Sequence, residues 1–212
     1  MPNKRLLLIA LLLLTLSFVG LILYVMHEPI PKIDQQISLI LQNYHADWLD
    51  NVMLAISFFG ELPYSLLMVL CVAIVFFRYK YRHEAFMTLS ILLSGLLILA
   101  VKNLVNRPRP TQFYVRLVEI NRFQSFPSGH VLSYVLFFGF MVVLMRHRND
   151  IPLRTRKWVT YISLFYLISI SFSRIYLGAH WFTDTLGGFI LGLICLIVLC
   201  YFYFRYGKRF ER

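Results

Sequence analysis

The chain has 212 residues, of which 59% are hydrophobic, and its mean hydropathy is +0.68. This composition excludes an ordinary soluble domain. The length favours one membrane-embedded domain over residues 1–212, with no room for a second. The formal net charge of +11 would also suit a nucleic-acid-binding protein, but its distribution along the chain favours another explanation.

Six apolar runs predict an all-α integral membrane protein, a six-transmembrane-helix bundle. A span needs about 20 apolar residues, because each rises ~1.5 Å through a hydrocarbon core of ~30 Å. The predicted spans are 6–26, 51–77, 84–104, 128–145, 158–177 and 181–204. The second contains Gly60-Glu61-Leu62-Pro63, which predicts a kink. A signal peptide is the alternative for the first run, but the run is long for a signal core and no Ala-x-Ala site follows it.

The segment 29–50 between the first two spans has its own periodicity. Apolar residues recur at Ile33, Ile37, Ile40, Leu41 and Tyr44, which is the spacing of one helix face. The pattern predicts a short amphipathic helix that lies in the membrane interface. Two roles stay open at this point: a cover or gate for a site, or a connector packed on the bundle.

The basic residues indicate the orientation of the bundle. With the N-terminus in the cytoplasm, the inner segments carry 14 of the 21 basic residues and three of the ten acids. The outer segments then carry seven of each sign, so the whole net charge lies inside, as the positive-inside rule expects. We therefore expect a multi-pass protein of the cell (inner) membrane with both termini in the cytoplasm, and a nucleic-acid partner is not needed to explain the charge.

The cysteines carry little functional information. Cys71, Cys195 and Cys200 all lie in apolar runs, without metal-ligand spacing. They are predicted to be small buried hydrophobic residues, and neither a disulfide framework nor a zinc site is indicated.

Three cations and one helix start lie on the predicted outer face. Lys102 ends the third span, Arg109 follows in the next loop, and Arg174 lies near the outer end of the fifth span. Each alone suits an ordinary interfacial cation. Ser128 and Gly129 begin the fourth span, where free backbone amides favour an anion. Together these residues predict a phosphate site. Arg107 is interpreted as a loop cation, at most a steering charge.

Two histidines on the same face add chemistry to this phosphate site. His180 and Asp184 are four residues apart, so on a helix the carboxylate can hold the Nδ1 proton and leave Nε2 free to attack phosphorus. A structural polar pair is the alternative. His130 is placed to protonate a leaving group. No cluster of carboxylates is available for Mg²⁺, so neither a metal nor another cofactor is predicted.

These residues fall into three motifs. They are Lys-x6-Arg-Pro (Lys102 to Pro110), Pro-Ser-Gly-His (127–130) and Ser-Arg-x5-His-x3-Asp (Ser173 to Asp184). In this order they resemble the type-2 phosphatidic acid phosphatase superfamily. The family also includes vanadium haloperoxidases with the same site, but those are soluble, and six spans argue against that function here.

The resemblance implies metal-independent hydrolysis of a lipid phosphate or diphosphate, of the phosphatidylglycerophosphate, phosphatidic acid or undecaprenyl diphosphate class. It implies catalysis through a phosphohistidine, and the loop charges predict that this site lies on the extracytoplasmic side. It also implies specific roles: His180 as nucleophile, Asp184 as its partner and His130 as acid, with phosphate bound by Lys102, Arg109, Ser128, Gly129 and Arg174. The expected partners are the lipid substrate and the bilayer, and the oligomeric state is left open.

Two other functions remain open on the sequence. A lipid phosphotransferase would use the same phosphohistidine but pass the group to another lipid or sugar. A lipid-binding or transport protein would need the cations, but it would have no use for two histidines and a carboxylate partner.

Overall fold

The computed structural model describes residues 4–121 and 123–207, and within them all regular structure is helical. The α-helices are α1 (Lys4–His27), α2 (Lys32–Gln42), α3 (Asp47–Ser57), α4 (Tyr64–Arg78), α5 (Arg82–Ser90), α6 (Ser94–Val105), α7 (Gly129–His147), α8 (Leu153–Tyr176) and α9 (Phe182–Tyr206). Short 3-10 turns extend α3 at Phe58–Gly60 and join α5 to α6 at Ile91–Leu93. Five residues counted in the charge argument, Arg122, Lys208, Arg209, Glu211 and Arg212, lie outside the described residues.

The predicted six-span bundle is confirmed. Within residues 4–121 and 123–207, five helical segments are long and apolar enough to cross a membrane: α1, α5 to α6 taken together, α7, α8 and α9. The pair Asp47–Gly60 and Tyr64–Arg78, bent by 59° at the predicted kink, passes the same test together and is the sixth when it is counted as one span. Pro63 directly precedes α4, where its missing N–H is not required by the helix. The fifth span begins at Leu153, five residues earlier than predicted, because a helix continues past the apolar core into its charged flank.

Helix α7 is the centre of the bundle. In its most apolar stretch 67% of the residues are buried, against 6% for α1. Helix α9 approaches α7 closely because it carries glycines on the facing side. A Cβ on Gly188 would lie 2.5 Å from the carbonyl oxygen of Ser128, and one on Gly192 would lie 2.7 Å from the Cβ of Val135. The close approach brings the start of α7 against the start of α9.

Helix α2 is amphipathic, as predicted, and its polar face is the one that packs on the protein. Asp34, Ser38 and Gln42 are buried, whereas Ile33 and Ile40 are 45% and 71% exposed. The Gln42 amide donates to the carbonyl oxygens of Arg116 and Tyr176 at 2.7 and 2.8 Å. The apolar face is thus left for lipid, which suits a helix in the membrane interface.

The prediction for the cysteines is only partly right. Cys195 and Cys200 on α9 are half-buried, but Cys71 is exposed on α4. In a membrane protein an apolar run need not be buried in protein, because lipid surrounds the outer helix faces.

Candidate active site

Four helix ends converge on one corner of the bundle. The end of α6, the start of α7, the end of α8 and the start of α9 bring the three motifs together, and Phe123, Gln124 and Ser125 of the loop that follows α6 contact them. The backbone N–H of Ser128 donates to the carbonyl oxygen of Asp184 at 3.0 Å. The backbone N–H groups of Val118 and Glu119 donate to the carbonyl oxygen of Leu177 at 3.0 and 3.2 Å, and they fasten this loop to the end of α8.

His180 lies between a carboxylate and a cation. It belongs to the short connection between α8 and α9 and is 1% exposed. Its Nδ1 faces Oδ2 of Asp184 at 3.5 Å, and its Nε2 lies 3.4 Å from Nη1 of Arg109. The Nδ1 atom has no hydrogen-bond partner among the described residues, so the dyad is at ion-pair distance and not closed. The two ring nitrogens thus face opposite kinds of group.

The surroundings of His180 favour the neutral imidazole. Burial, followed by the charges of Arg109, Arg174 and Lys102, lowers the pKa of His180 well below its ordinary value of 6.5. The lone pair on the nitrogen that faces Arg109 is therefore available at neutral pH.

Lys102 and Arg109 are held by loop carbonyls. The Lys102 ammonium donates to the carbonyl oxygen of Gln124, and Arg109 Nε donates to that of Phe123. Arg109 Nη1 also donates to the carbonyl oxygen of Ala179 at 2.6 Å. Burial and the charge of Arg174 lower the pKa of Arg109 to about 10, so the guanidinium stays protonated at neutral pH. Because carbonyl oxygens carry no net charge, both cations keep a charge for an anion.

Arg174 is engaged by an acid. Its Nη1 and Nη2 donate to the Glu119 carboxylate at 2.7 and 2.8 Å, and Nη1 also donates to Ser57 Oγ. Burial raises the pKa of Glu119, but the hydrogen bond and the charge of Arg174 lower it by more. The net pKa is lowered, so the carboxylate is ionised. The Nε of Arg174 is buried and unpartnered within 4–121 and 123–207. A guanidinium has five N–H donors, so part of this fork remains for another ligand.

The Pro-Ser-Gly-His motif opens α7 at the same corner. Ser128 is its N-cap and accepts from the backbone N–H of Val131 at 3.4 Å. A Cβ on Gly129 would meet only Ile98, at 3.6 Å, so the described protein does not itself require glycine there. The Nε2 of His130 is buried without a partner among these residues. The ring packs on Gly60, at the break of the bent span, where a Cβ would lie 2.2 Å from Cδ2 of His130.

Sequence reasoning missed several residues of this site. Arg107, interpreted as a steering charge, is buried and bound to Asp184. Glu119 and Ser125 were not considered, although they contact the motif residues Arg174 and Asp184, and neither was Asp34, which contacts Arg107. The sequence did offer a signal for Asp34 and Glu119. The chain has only ten acidic residues, and an acid inside a membrane protein is usually paired or functional.

Comparison with known proteins places these motifs in one family. The family model described as the PAP2 superfamily matches residues 83–208. Phosphatidylglycerophosphatase B of Bacillus subtilis is 28% identical over 167 residues, which cover 78% of this chain and 81% of that protein. Undecaprenyl-diphosphatase of Sulfolobus acidocaldarius is 29% identical over 85 residues, which cover 40% of this chain and 31% of that protein.

Two solved structures are similar in fold. The transmembrane PAP2-type phosphatidylglycerolphosphate phosphatase of Bacillus subtilis superposes with a TM-score of 0.80 at 26% identity, over 92% of this chain and 96% of its own. LpxE of Aquifex aeolicus superposes with a TM-score of 0.63 at 25% identity, over 81% of this chain and 96% of its own.

Proposed function

Because the chain belongs to the PAP2 superfamily, we propose that it hydrolyses a lipid phosphate or diphosphate through a phosphohistidine formed on His180. Membership of the family confirms the resemblance seen in the three motifs, and the chain is a multi-pass membrane phosphatase. The residue roles, the intermediate and the side of the membrane are the content of the proposal.

One observation carries the proposal. His180 faces the cation Arg109 with one ring nitrogen and the carboxylate Asp184 with the other, at 3.4 and 3.5 Å. A nucleophilic imidazole needs its attacking nitrogen beside a bound anion and its other nitrogen beside a proton acceptor. A phosphate held by Arg109 meets the first need, and Asp184 meets the second.

In the first step Nε2 of His180 forms a bond to phosphorus, and the bond from phosphorus to the leaving-group oxygen breaks. The Nδ1 proton stays on the imidazole beside Asp184, which stabilises the resulting cation. His130 protonates the leaving oxygen. In the second step His130 takes a proton from water, the water oxygen bonds to phosphorus, and the bond from phosphorus to Nε2 breaks, so that inorganic phosphate leaves.

The site's own cations neutralise the phosphoryl oxygens in this mechanism. Lys102, Arg109 and the unpartnered Nε edge of Arg174 serve this role, together with the backbone amides at Ser128 and Gly129. The nearby acids Asp184 and Glu119 are each paired with an arginine. This donor set suits a phosphate anion and leaves no pair of free carboxylates for Mg²⁺.

The rim of the site suits a lipid. Phe123, whose carbonyl oxygen accepts from Arg109, exposes 75% of its surface. Phe113 and Ile120 on the same loop expose 85% and 78%. Exposed apolar side chains beside a phosphate site fit a substrate whose head group meets the cations while its acyl or prenyl chain stays in lipid. Substrates of the phosphatidylglycerophosphate, phosphatidic acid and undecaprenyl diphosphate classes satisfy this requirement.

Phosphate release by the purified protein tests the proposal. In excess EDTA the wild type should hydrolyse at least one of these lipids, and His180→Ala should release no phosphate. With a lipid diphosphate radiolabelled in its terminal phosphate, whose leaving group depends less on the acid, His130→Ala should accumulate acid-labile label on the protein, because the second step still needs His130 as base. Loss of activity that only Mg²⁺ restores would overturn the metal-free mechanism. Label recovered in a second lipid, not as free phosphate, would favour phosphotransfer.

The side of the membrane has a separate test. In a cysteine-free background, we expect Phe113→Cys to react with a membrane-impermeant maleimide in intact cells. The matched position is Arg154, exposed in the first turn of α8 at the opposite end of the bundle, where Arg154→Cys should react only after lysis. The reverse pattern of labelling would place the site in the cytoplasm.

A further inference from the structure

A chain of buried charges runs from the interfacial helix to the proposed catalytic carboxylate. Arg107 Nη2 donates to Oδ2 of Asp34 at 2.6 Å, and Arg107 Nη1 donates to Oδ1 of Asp184 at 2.5 Å. All three side chains are fully excluded from solvent. The residues come from α2, the loop after α6 and α9. A steering charge must reach solvent, so this position excludes that role for Arg107.

The same cluster seats helix α2. Asp34 also accepts from the backbone N–H of Thr183 at 2.8 Å and from its hydroxyl at 2.7 Å. Arg107 Nε donates to the carbonyl oxygen of Pro29 at 2.8 Å, just before the helix. Thr183 at the start of α9 and Arg107 in the loop thus hold the N-terminal end of α2 by its polar face.

The two oxygens of Asp184 have different partners. Arg107 takes Oδ1, while Oδ2 accepts from the Ser125 hydroxyl and, at 2.9 Å, from the backbone N–H of Trp181. Oδ2 is also the oxygen that faces Nδ1 of His180. The ion pair with Arg107 therefore fixes which oxygen is presented to the imidazole, and it supplies the counter-charge for a buried carboxylate beside that ring.

Without the guanidinium, the fold would bury two carboxylates against Thr183 with no counter-charge. Asp184 would then turn away toward another donor, because an unpaired buried charge is costly. This movement removes the acceptor for the Nδ1 proton of His180. Loss of the Asp34 carboxylate acts less directly, because Arg107 and Asp184 stay paired. It removes the partner of Arg107 Nη2 and the hydrogen bonds by which α2 packs on Thr183.

We propose that Arg107 and Asp34 are positioning residues that hold Asp184 in register with His180, so that docking of the polar face of α2 is required for turnover. The inference rests on the proposed function. It gives α2 a role in the reaction itself. The two roles left open by the sequence, a cover for the site and a connector packed on the bundle, do not include such a role.

Steady-state kinetics on a lipid phosphate test the proposal. Arg107→Gln should lower kcat by about 10–100-fold, the usual effect of losing a partner behind a reacting group, with little change in KM because the phosphate ligands are untouched. Arg107→Lys should restore part of kcat, and Asp34→Asn should lower it by a smaller factor. The matched control is Asp50→Asn, which breaks the neighbouring ion pair with Arg116 on the same loop and should leave kcat unchanged.

A double-mutant cycle separates positioning from general damage. If Arg107 acts through Asp184, Arg107→Gln should have no further effect on kcat in an Asp184→Asn background. If the kcat losses of Arg107→Gln and Asp184→Asn multiply in the double variant, the two residues act independently and the proposal is overturned. A loss of kcat in Asp50→Asn equal to that in Arg107→Gln would also overturn it.

A measurement without turnover keeps this inference distinct from the phosphatase proposal. NMR with isotope-labelled histidine should show His180 with its proton on Nδ1 in the wild type and lose that signature in Arg107→Gln. An unchanged His180 signal would refute the coupling even if the enzyme is active. A wild type that releases no phosphate but shows the coupling would refute only the proposed function.

Discussion

Replacing Gly60 by alanine tests whether the break in the bent span positions His130. A Cβ there would lie 2.2 Å from Cδ2, 2.6 Å from Cγ and 3.0 Å from Nε2 of the His130 ring. Ordinary Cβ contacts begin at 3.4 Å, so the ring or the turn must move by about 1.2 Å. Misplacement of a catalytic group by ~1 Å can cost on the order of 100-fold in rate.

The assay compares kcat on two leaving groups. A lipid monophosphate releases a poor alkoxide leaving group and depends strongly on the general acid, whereas a lipid diphosphate releases a better one. We expect Gly60→Ala to lower kcat on the monophosphate by about 100-fold and on the diphosphate by less. The structural cost should be that of modest overpacking, about 1–3 kcal/mol, so the protein should stay folded.

The control for this prediction is Gly95→Ala on α6. A Cβ at Gly95 meets no atom within 4 Å, so kcat should be unchanged there. Wild-type kcat in a folded Gly60→Ala protein, or an equal loss on both leaving groups, would refute the assignment of His130 as the acid held by this turn.

Three further predictions follow from packing and charge. Because the pKa of His180 lies well below 6.5, the neutral nucleophile persists in acid, and the acidic limb of kcat/KM should have its midpoint below pH 6.5; a midpoint at or above that value would contradict it. Gly188→Ala should lower the free energy of unfolding by about 1–3 kcal/mol, measured by thermal or denaturant unfolding in detergent, whereas Gly20→Ala, which meets no atom within 4 Å, should not lower it. Glu119→Gln should lower the inhibition constant of inorganic phosphate several-fold, because an acid no longer competes for Arg174, and weaker inhibition would contradict this.

The sequence alone determined the fold class and the identity of the motif residues. Lipid imposes a local rule, about 20 apolar residues for each span, so hydropathy located the spans and Pro63 marked the bend. The three motifs could be identified for a similar reason, since polar residues stand out in apolar helices. That Lys102, His130, His180 and their neighbours meet at one corner followed from helix order and loop charge, and their catalytic roles remain predictions.

Only the tertiary structure decided how these residues are supported. The period of α2 gives an apolar and a polar face, but it does not indicate which face meets protein, and here Asp34 points inward. Arg107 pairs with residues 73 and 77 positions away, and Arg174 pairs with an acid 55 positions away. Such pairs depend on where helices finally pack. A charge that a local pattern assigns to the surface can therefore lie fully buried, and only long-range contacts reveal its partner.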